Sequence, residues 1–209
     1  MRDIIEHRGP DGTGHWINTS GTVGLAHRRL SILDLSNAGA QPMSYADGRY
    51  TITFNGEIYN YLELKAALLE KGYHFRSSSD TEVLLALYDF RKERALEDLD
   101  GMFSFVIYDK QEETLFCARD RFGEKPFFYS HIPGRSFVFG SEMKELWAAG
   151  LSKTINNKML YAYLSYGMLE NANDKSETFY EGIWRLENAH YLKVDLRTFE
   201  IRKHKYWDI

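Results

Sequence analysis

The sequence predicts an α+β fold built on antiparallel sheet. Strand-like runs cluster together instead of alternating singly with helices, two pairs of helix signals lie between the clusters, and neither common glycine-rich phosphate loop occurs in the 209 residues. The 14 Tyr and 13 Phe favour the half-buried, pleated surface that such a sheet provides, and they exclude a disordered chain.

The first strand signals are short, at 23–27 and at 50–55, where YTITFN alternates apolar and polar residues and is expected to stop at Gly56. A helix follows from Asn60, with Tyr61, Leu64 and Leu68 on one stripe and Gly72 as its stop. A second helix starts at Ser79, where S-D-T-E has the form of a capping box, and carries Val83, Leu84, Leu87 and Tyr88 inward. From Met102 the texture changes to four runs, at 103–109, 114–120, 126–131 and 136–141, which read as one antiparallel meander. Helices over 142–149 and 158–166 end at Gly150 and Gly167, and the C-terminal residues form a hairpin turning near Arg197 and Thr198. No repeat or flexible linker divides the chain, so one continuous domain is the simplest organisation.

A formal charge of −4 with both signs interspersed offers no basic stripe for nucleic acid and no polybasic patch for a membrane surface. The opening MRDIIEHRGPDG carries four charges before Gly9 and no apolar run, so it reads as neither signal peptide nor membrane span, and a cytoplasmic location is expected. The single cysteine, Cys117, excludes an internal disulfide framework and any multi-cysteine zinc site. It lies in an apolar strand with no sign of a paired base, which reads as a small buried side chain.

Three segments carry groups suited to chemistry. In NGEIYN, Asn55 offers an amide donor, Gly56 a closely approachable backbone N–H, and Glu57 an anion; the same residues also read as a glycine turn before a helix. In AHRRLSILD, the adjacent Arg28 and Arg29 face opposite sides of an extended chain, so that one can point inward and clamp a carboxylate, or both can be structural. Asp80 in the first turn of the second helix either complements the helix dipole or holds a ligand cation. RDRFGEKPFFY, at 119–129, reads on composition as a salt-bridged turn entering a strand.

Taken in order, HRGPDG (7–12), AHRRLSILD (26–34), NGEIYN (55–60), SDTE (79–82), LDGMFSFVIYD (99–109), RDRFGEKPFFY (119–129) and GSEMKEL (140–146) resemble the class II glutamine amidotransferase domain of glutamine-hydrolysing asparagine synthetases. The resemblance implies an N-terminal-nucleophile hydrolase fold, a four-layer αββα sandwich with two antiparallel sheets. It also implies an amidotransferase domain over 1–182, with 183–209 as a closing hairpin and a junction towards a synthetase domain. Arg29 would bind the glutamine α-carboxylate, with Leu30, Ser31, Ile32 and Leu33 lining the pocket. Asn55 and Gly56 would form the oxyanion hole, and Glu57 and Asp80 would hold the α-ammonium. The family's N-terminal cysteine nucleophile and its Ser-Gly-Gly nucleotide loop are not among these residues, so the 209-residue chain is expected to be inactive as a glutaminase.

The activity implied for the whole protein is hydrolysis of L-glutamine, with the ammonia used for ATP-dependent amidation of L-aspartate. Two alternatives stay open: amidation of another carboxylate such as a sugar acid, and a non-catalytic scaffold as in the β-lactam synthetases. No metal or cofactor is expected in this domain; ATP and Mg belong to the synthetase domain. The partners implied are L-glutamine and that covalently linked domain, with a homodimer as a further option. ENAH (187–190) departs from the family's usual Pro-Gly-His turn and is expected to change that turn.

Overall fold

The computed structural model describes residues 1–30 and 39–208. Two short strands, β1 (Gly12–Ile17) and β2 (Gly24–Arg29), pair antiparallel. The main sheet has six strands, also antiparallel: β3 (Met43–Tyr45), β4 (Tyr50–Ile58), β5 (Gly101–Asp109), β6 (Thr114–Arg119), β10 (His190–Asp195) and β11 (Ile201–Lys205), in the order β11-β10-β6-β5-β4-β3. A third sheet joins β7 (Phe128–Ile132) to β8 (Ser136–Gly140) on one side and β9 (Trp184–Arg185) on the other. The helices are α1 (Tyr61–Glu70), α2 (Asp80–Arg91), α3 (Ala95–Asp98), α4 (Met143–Ala148) and α5 (Asn157–Tyr166). No described helix is long and apolar enough to cross a membrane.

Strand alternation explains how the layers form. Phe103, Phe105 and Ile107 of β5 and Phe116 and Ala118 of β6 face a core shared with Leu84, Leu87 and Tyr88 of α2 and Leu68 of α1. The residues between them, Val106, Tyr108, Leu115 and Cys117, face a second core with Leu192, Val194, Phe127 and Tyr129. Both faces of the central strands are therefore covered, and β5 and β6 read as nearly unbroken apolar runs instead of alternating ones. On the far side of the smaller sheet α4 packs against β8, where a Cβ on Gly140 would approach the Glu145 carboxylate to 2.9 Å. The order helix, sheet, sheet, helix is the four-layer α+β arrangement anticipated from the resemblance.

Several local expectations need correction. The four runs after Met102 are not one meander. β5 and β6 belong to the large sheet, and β7 and β8 form a hairpin in another. The switch is made at residues 119–127, where Arg119 donates to the carbonyls of Gly123 (2.5 Å), Lys125 (2.6 Å) and Leu186 (2.7 Å). Asp120, fully buried, accepts the N–H groups of Phe103 (3.2 Å), Phe122 (3.1 Å), Glu124 (2.9 Å) and Lys125 (3.0 Å). Arg119 and Asp120 are spent on backbone groups and not on each other, so the salt-bridged reading of the motif does not hold.

β4 does not end at Gly56 but runs to Ile58, because its pairing with β5 continues through Gly56 opposite Phe103 and Ile58 opposite Gly101. The capping box at 79–82 is half made. The Ser79 hydroxyl accepts the Thr81 N–H at 3.1 Å, while the buried Glu82 carboxylate accepts the N–H groups of Arg76 and Ser77. A complete reciprocal box closes the N-terminus of α4 instead, between Glu142 and Glu145. The closing hairpin β10–β11 is stitched into the six-stranded sheet through β10 and β6.

Candidate functional site

The site arises where β4 outruns its neighbour. β3 covers only residues 50–52 of β4, so the edge beyond Ile52 has no strand partner among the described residues. Along that edge the period of two points the backbone groups of Phe54, Gly56 and Ile58 the same way. The Phe54 N–H donates to Gln41 Oε1 at 2.6 Å and its carbonyl is held by His27 Nε2 at 3.1 Å. The Ile58 N–H donates to Asp80 Oδ2 at 3.0 Å. Between these two side-chain caps stands Gly56, whose N–H points into a cleft of about 240 Å³.

Gly56 cannot be replaced there without moving the sheet. A Cβ at this position would lie 2.1 Å from the Met102 carbonyl oxygen, far inside van der Waals contact. Asn55 and Glu57, one residue to either side, project from the opposite face to Phe54 and Ile58. The Asn55 amide reaches Ser141 Oγ at 3.5 Å and otherwise faces the cleft.

The cleft is lined by Arg29, Leu30, Asn55, Gly56, Glu57 and Asp80, so one pocket gathers every described residue nominated from the sequence. Leu30 is exposed at its rim, and Ser31, Ile32 and Leu33 lie outside the described residues. Both arginines line the cleft, so their adjacency does not separate them; Arg28 is also drawn to Asp3 at 3.0 Å. Asp80 opens α2, and burial pushes its carboxyl above the usual range, opposed by the N–H groups of Ile58 and Thr81 and reinforced by the nearby Glu57.

Three contributors escaped the sequence reading. Gln41 and His27 cap the unpaired edge of β4, and Lys125 lines the cleft from the turn that Arg119 and Asp120 hold. Nothing local marks Gln41, because its role exists only once β3 stops short. Burial lowers the His27 pKa to about 4, helped by Arg29 and opposed by the bond to Phe54, so the ring is neutral near pH 7. With Nε2 donating to the carbonyl, Nδ1 carries no proton, and it is buried without a hydrogen-bond partner among the described residues. His27, Arg28 and Asn55 also border a second cavity of about 290 Å³, lined by Ser104, Pro126, Phe127 and Phe139. Cys117 borders neither cavity; it is fully buried between the sheets, and burial pushes its thiol pKa up.

Fold and cleft together define a class: an antiparallel α+β protein that gathers an open strand edge, an amide and charges of both signs around one small cleft. The profile of the glutamine amidotransferase domain matches residues 1–207, and the chain belongs to that family. It is 48% identical over 166 residues to asparagine synthetase [glutamine-hydrolyzing] 1 of Bacillus subtilis, covering 79% of this chain and 26% of the relative. To asparagine synthetase [glutamine-hydrolyzing] 2 of the same organism it is 39% identical, covering 100% of this chain and 27% of the relative. The chain thus spans about a quarter of the length of these two relatives. Among solved structures, glutamine phosphoribosylpyrophosphate amidotransferase from B. subtilis superposes with a TM-score of 0.62 at 19% identity, over 88% of this chain and 35% of that one, a likeness of fold.

Proposed function

We propose that this chain is the glutamine-holding part of a glutaminase domain, and that the whole protein passes ammonia from L-glutamine to ATP-dependent amidation of L-aspartate. The observation that carries the reading is the open Gly56 N–H, fixed between the caps on Phe54 and Ile58 and set beside the Asn55 amide. Two such donors, held rigidly where a carbonyl oxygen would lie, stabilise the negative charge that develops there when an amide is attacked. Arg29 on one side and Glu57 and Asp80 on the other suit the carboxylate and ammonium of an α-amino acid. In this reading ATP and Mg are bound by a covalently linked synthetase domain and not by these residues.

The attacking thiol is not supplied by Cys117, which stays buried and protonated between the sheets. The 209-residue chain therefore binds L-glutamine without hydrolysing it. Titration calorimetry with L-glutamine, repeated with Arg29→Ala, and an assay for glutamate release test both halves. Heat of binding that disappears in Arg29→Ala, with no glutamate formed, is the expected result. A folded chain that ignores glutamine would sink the reading, and turnover lost in Cys117→Ala would sink the assignment of Cys117.

A further inference from the structure

From Met159 in α5 to Leu169 just beyond it, the eleven residues MLYAYLSYGML carry no charge. The first turn of the helix is held down. The Asn156 side chain accepts the N–H groups of Lys158 and Met159 at 3.1 and 3.2 Å, and the Asn156 N–H donates to the Phe179 carbonyl at 2.9 Å. Met159 is the one residue of the helix that is buried. A helix surface that is apolar on every side is normally enclosed by protein. Here Tyr161, Tyr163, Leu164, Tyr166, Met168 and Leu169 are between 46% and 73% exposed.

Since an aromatic side chain can bury ~150–250 Å², these six residues present on the order of 600 Å² of apolar surface, the upper end of what a monomer leaves bare. A stable interface buries about 800 Å² on each partner, as an apolar centre inside a polar rim. At α5 the rim is charged at both ends. Before the patch, Lys158 pairs with Glu177 at 2.9 Å, and the ammonium is the outward member, 68% exposed against 16%. After it, Glu170 pairs with Arg185, and the carboxylate is the outward member, 55% exposed against 22%. Each pair is neutral as a unit, and the two turn opposite signs to solvent.

We propose that α5 is the contact helix of a two-fold dimer, packed antiparallel on the α5 of a second copy of this chain. A two-fold interface sets one patch against itself, which an uncharged patch allows without like-charge repulsion. The antiparallel arrangement lays the outward Lys158 of each copy beside the outward Glu170 of the other. A parallel arrangement would set like beside like. Leu164 stands six residues from each of these charges and is the most exposed side chain of the patch, so it falls at the axis and meets its own counterpart.

Sedimentation of the 209-residue chain, of Leu164→Lys and of Leu164→Asp tests this, with far-UV circular dichroism to show that each is folded. At so exposed a position either substitution costs the isolated chain little. The wild type is expected to be dimeric at about 100 μM. Each variant alone should be monomeric there, its dissociation constant raised by about a hundredfold or more by the like charges that meet on the axis. Mixed in equal amounts, the two variants should associate again, because lysine then faces aspartate. A wild type that stays monomeric overturns the proposal and leaves the patch to a covalently linked domain. Variants that remain dimeric alone, or that stay apart when mixed, overturn the antiparallel packing about Leu164.

Discussion

The Asp80 carboxylate accepts the Ile58 N–H at 3.0 Å, tying the first turn of α2 to the last residue of β4. One side chain thereby closes the unpaired strand edge and sets an anion at the cleft. The two duties can be separated by substitution.

Asp80→Asn keeps an oxygen for the Ile58 N–H and removes the charge, so the fold is retained while glutamine affinity falls by about tenfold or more. The sign of the pH effect follows from the raised carboxyl. The folded chain without ligand holds this proton to higher pH than the unfolded chain does, so ionising Asp80 costs folding free energy as pH rises above its ordinary 3.8. A ligand ammonium favours the ionised form. Glutamine affinity should therefore rise with pH across a window above 3.8, and that rise should be absent in Asp80→Asn. Identical pH profiles for the two proteins in calorimetry would remove Asp80 from the ammonium site.

His27 makes the opposite prediction for stability. Its pKa is depressed from 6.5 to about 4, so the unfolded chain binds more protons between those values. Its contribution is fully present above pH 6.5 and is lost as pH falls towards 4, a change on the order of a few kcal/mol. Urea unfolding of the wild type and His27→Gln at several pH values checks this. The variant should lack that part of the acid slope, and parallel slopes would show that His27 does not remain neutral in the folded chain.

How far the site could be read beforehand follows from the range of each interaction. The ends of α1 and α5 at Gly72 and Gly167 and the start of α2 at Ser79 were legible because caps are built within a few residues of sequence. The run of β4 past Gly56 was not, since a glycine after an alternating stretch reads as a turn and only pairing with β5 overrides it. The division of β5–β8 between two sheets was illegible for the same reason, because alternation says which residues share a face and not which strand lies beside them. Asn55, Gly56 and Glu57 are neighbours and could be nominated together. Gln41 and Lys125 come to them only through the tertiary fold.

Gly56→Ala places a methyl group 2.1 Å from the Met102 carbonyl oxygen. The strands must part, at a cost of about 3 kcal/mol or more. Glutamine binding should be lost even where the variant is fully folded, because the N–H that faces the cleft moves with the backbone. Chemical denaturation and calorimetry on one preparation separate the two effects. Unchanged affinity in a destabilised variant would argue against the Gly56 N–H as a ligand donor.

Asp120→Ala removes the acceptor of four N–H groups from a fully buried position. Each donor left without a partner costs about 1–3 kcal/mol, so the turn that carries the chain from one sheet to the other should open before the rest unfolds. Hydrogen exchange would show Phe103, Phe122, Glu124 and Lys125 amides losing protection together. Persistence of that protection would mean that the turn is held by Arg119 alone.

Ala189 has φ of +58° in a position that is almost fully buried, with its N–H bonded to the Asp120 carbonyl and its carbonyl to the Tyr206 N–H, both at 2.8 Å. It lies in ENAH, where the family commonly has Pro-Gly-His, and an alanine in this region carries about 1–2 kcal/mol of backbone strain that glycine does not. Glycine is freer in the unfolded chain, which returns part of that gain. Ala189→Gly should therefore raise stability by about 1 kcal/mol in urea unfolding without altering the m-value. A loss of stability would show that the Cβ of Ala189, packed where the turn meets the start of β10, contributes more than its left-handed backbone costs.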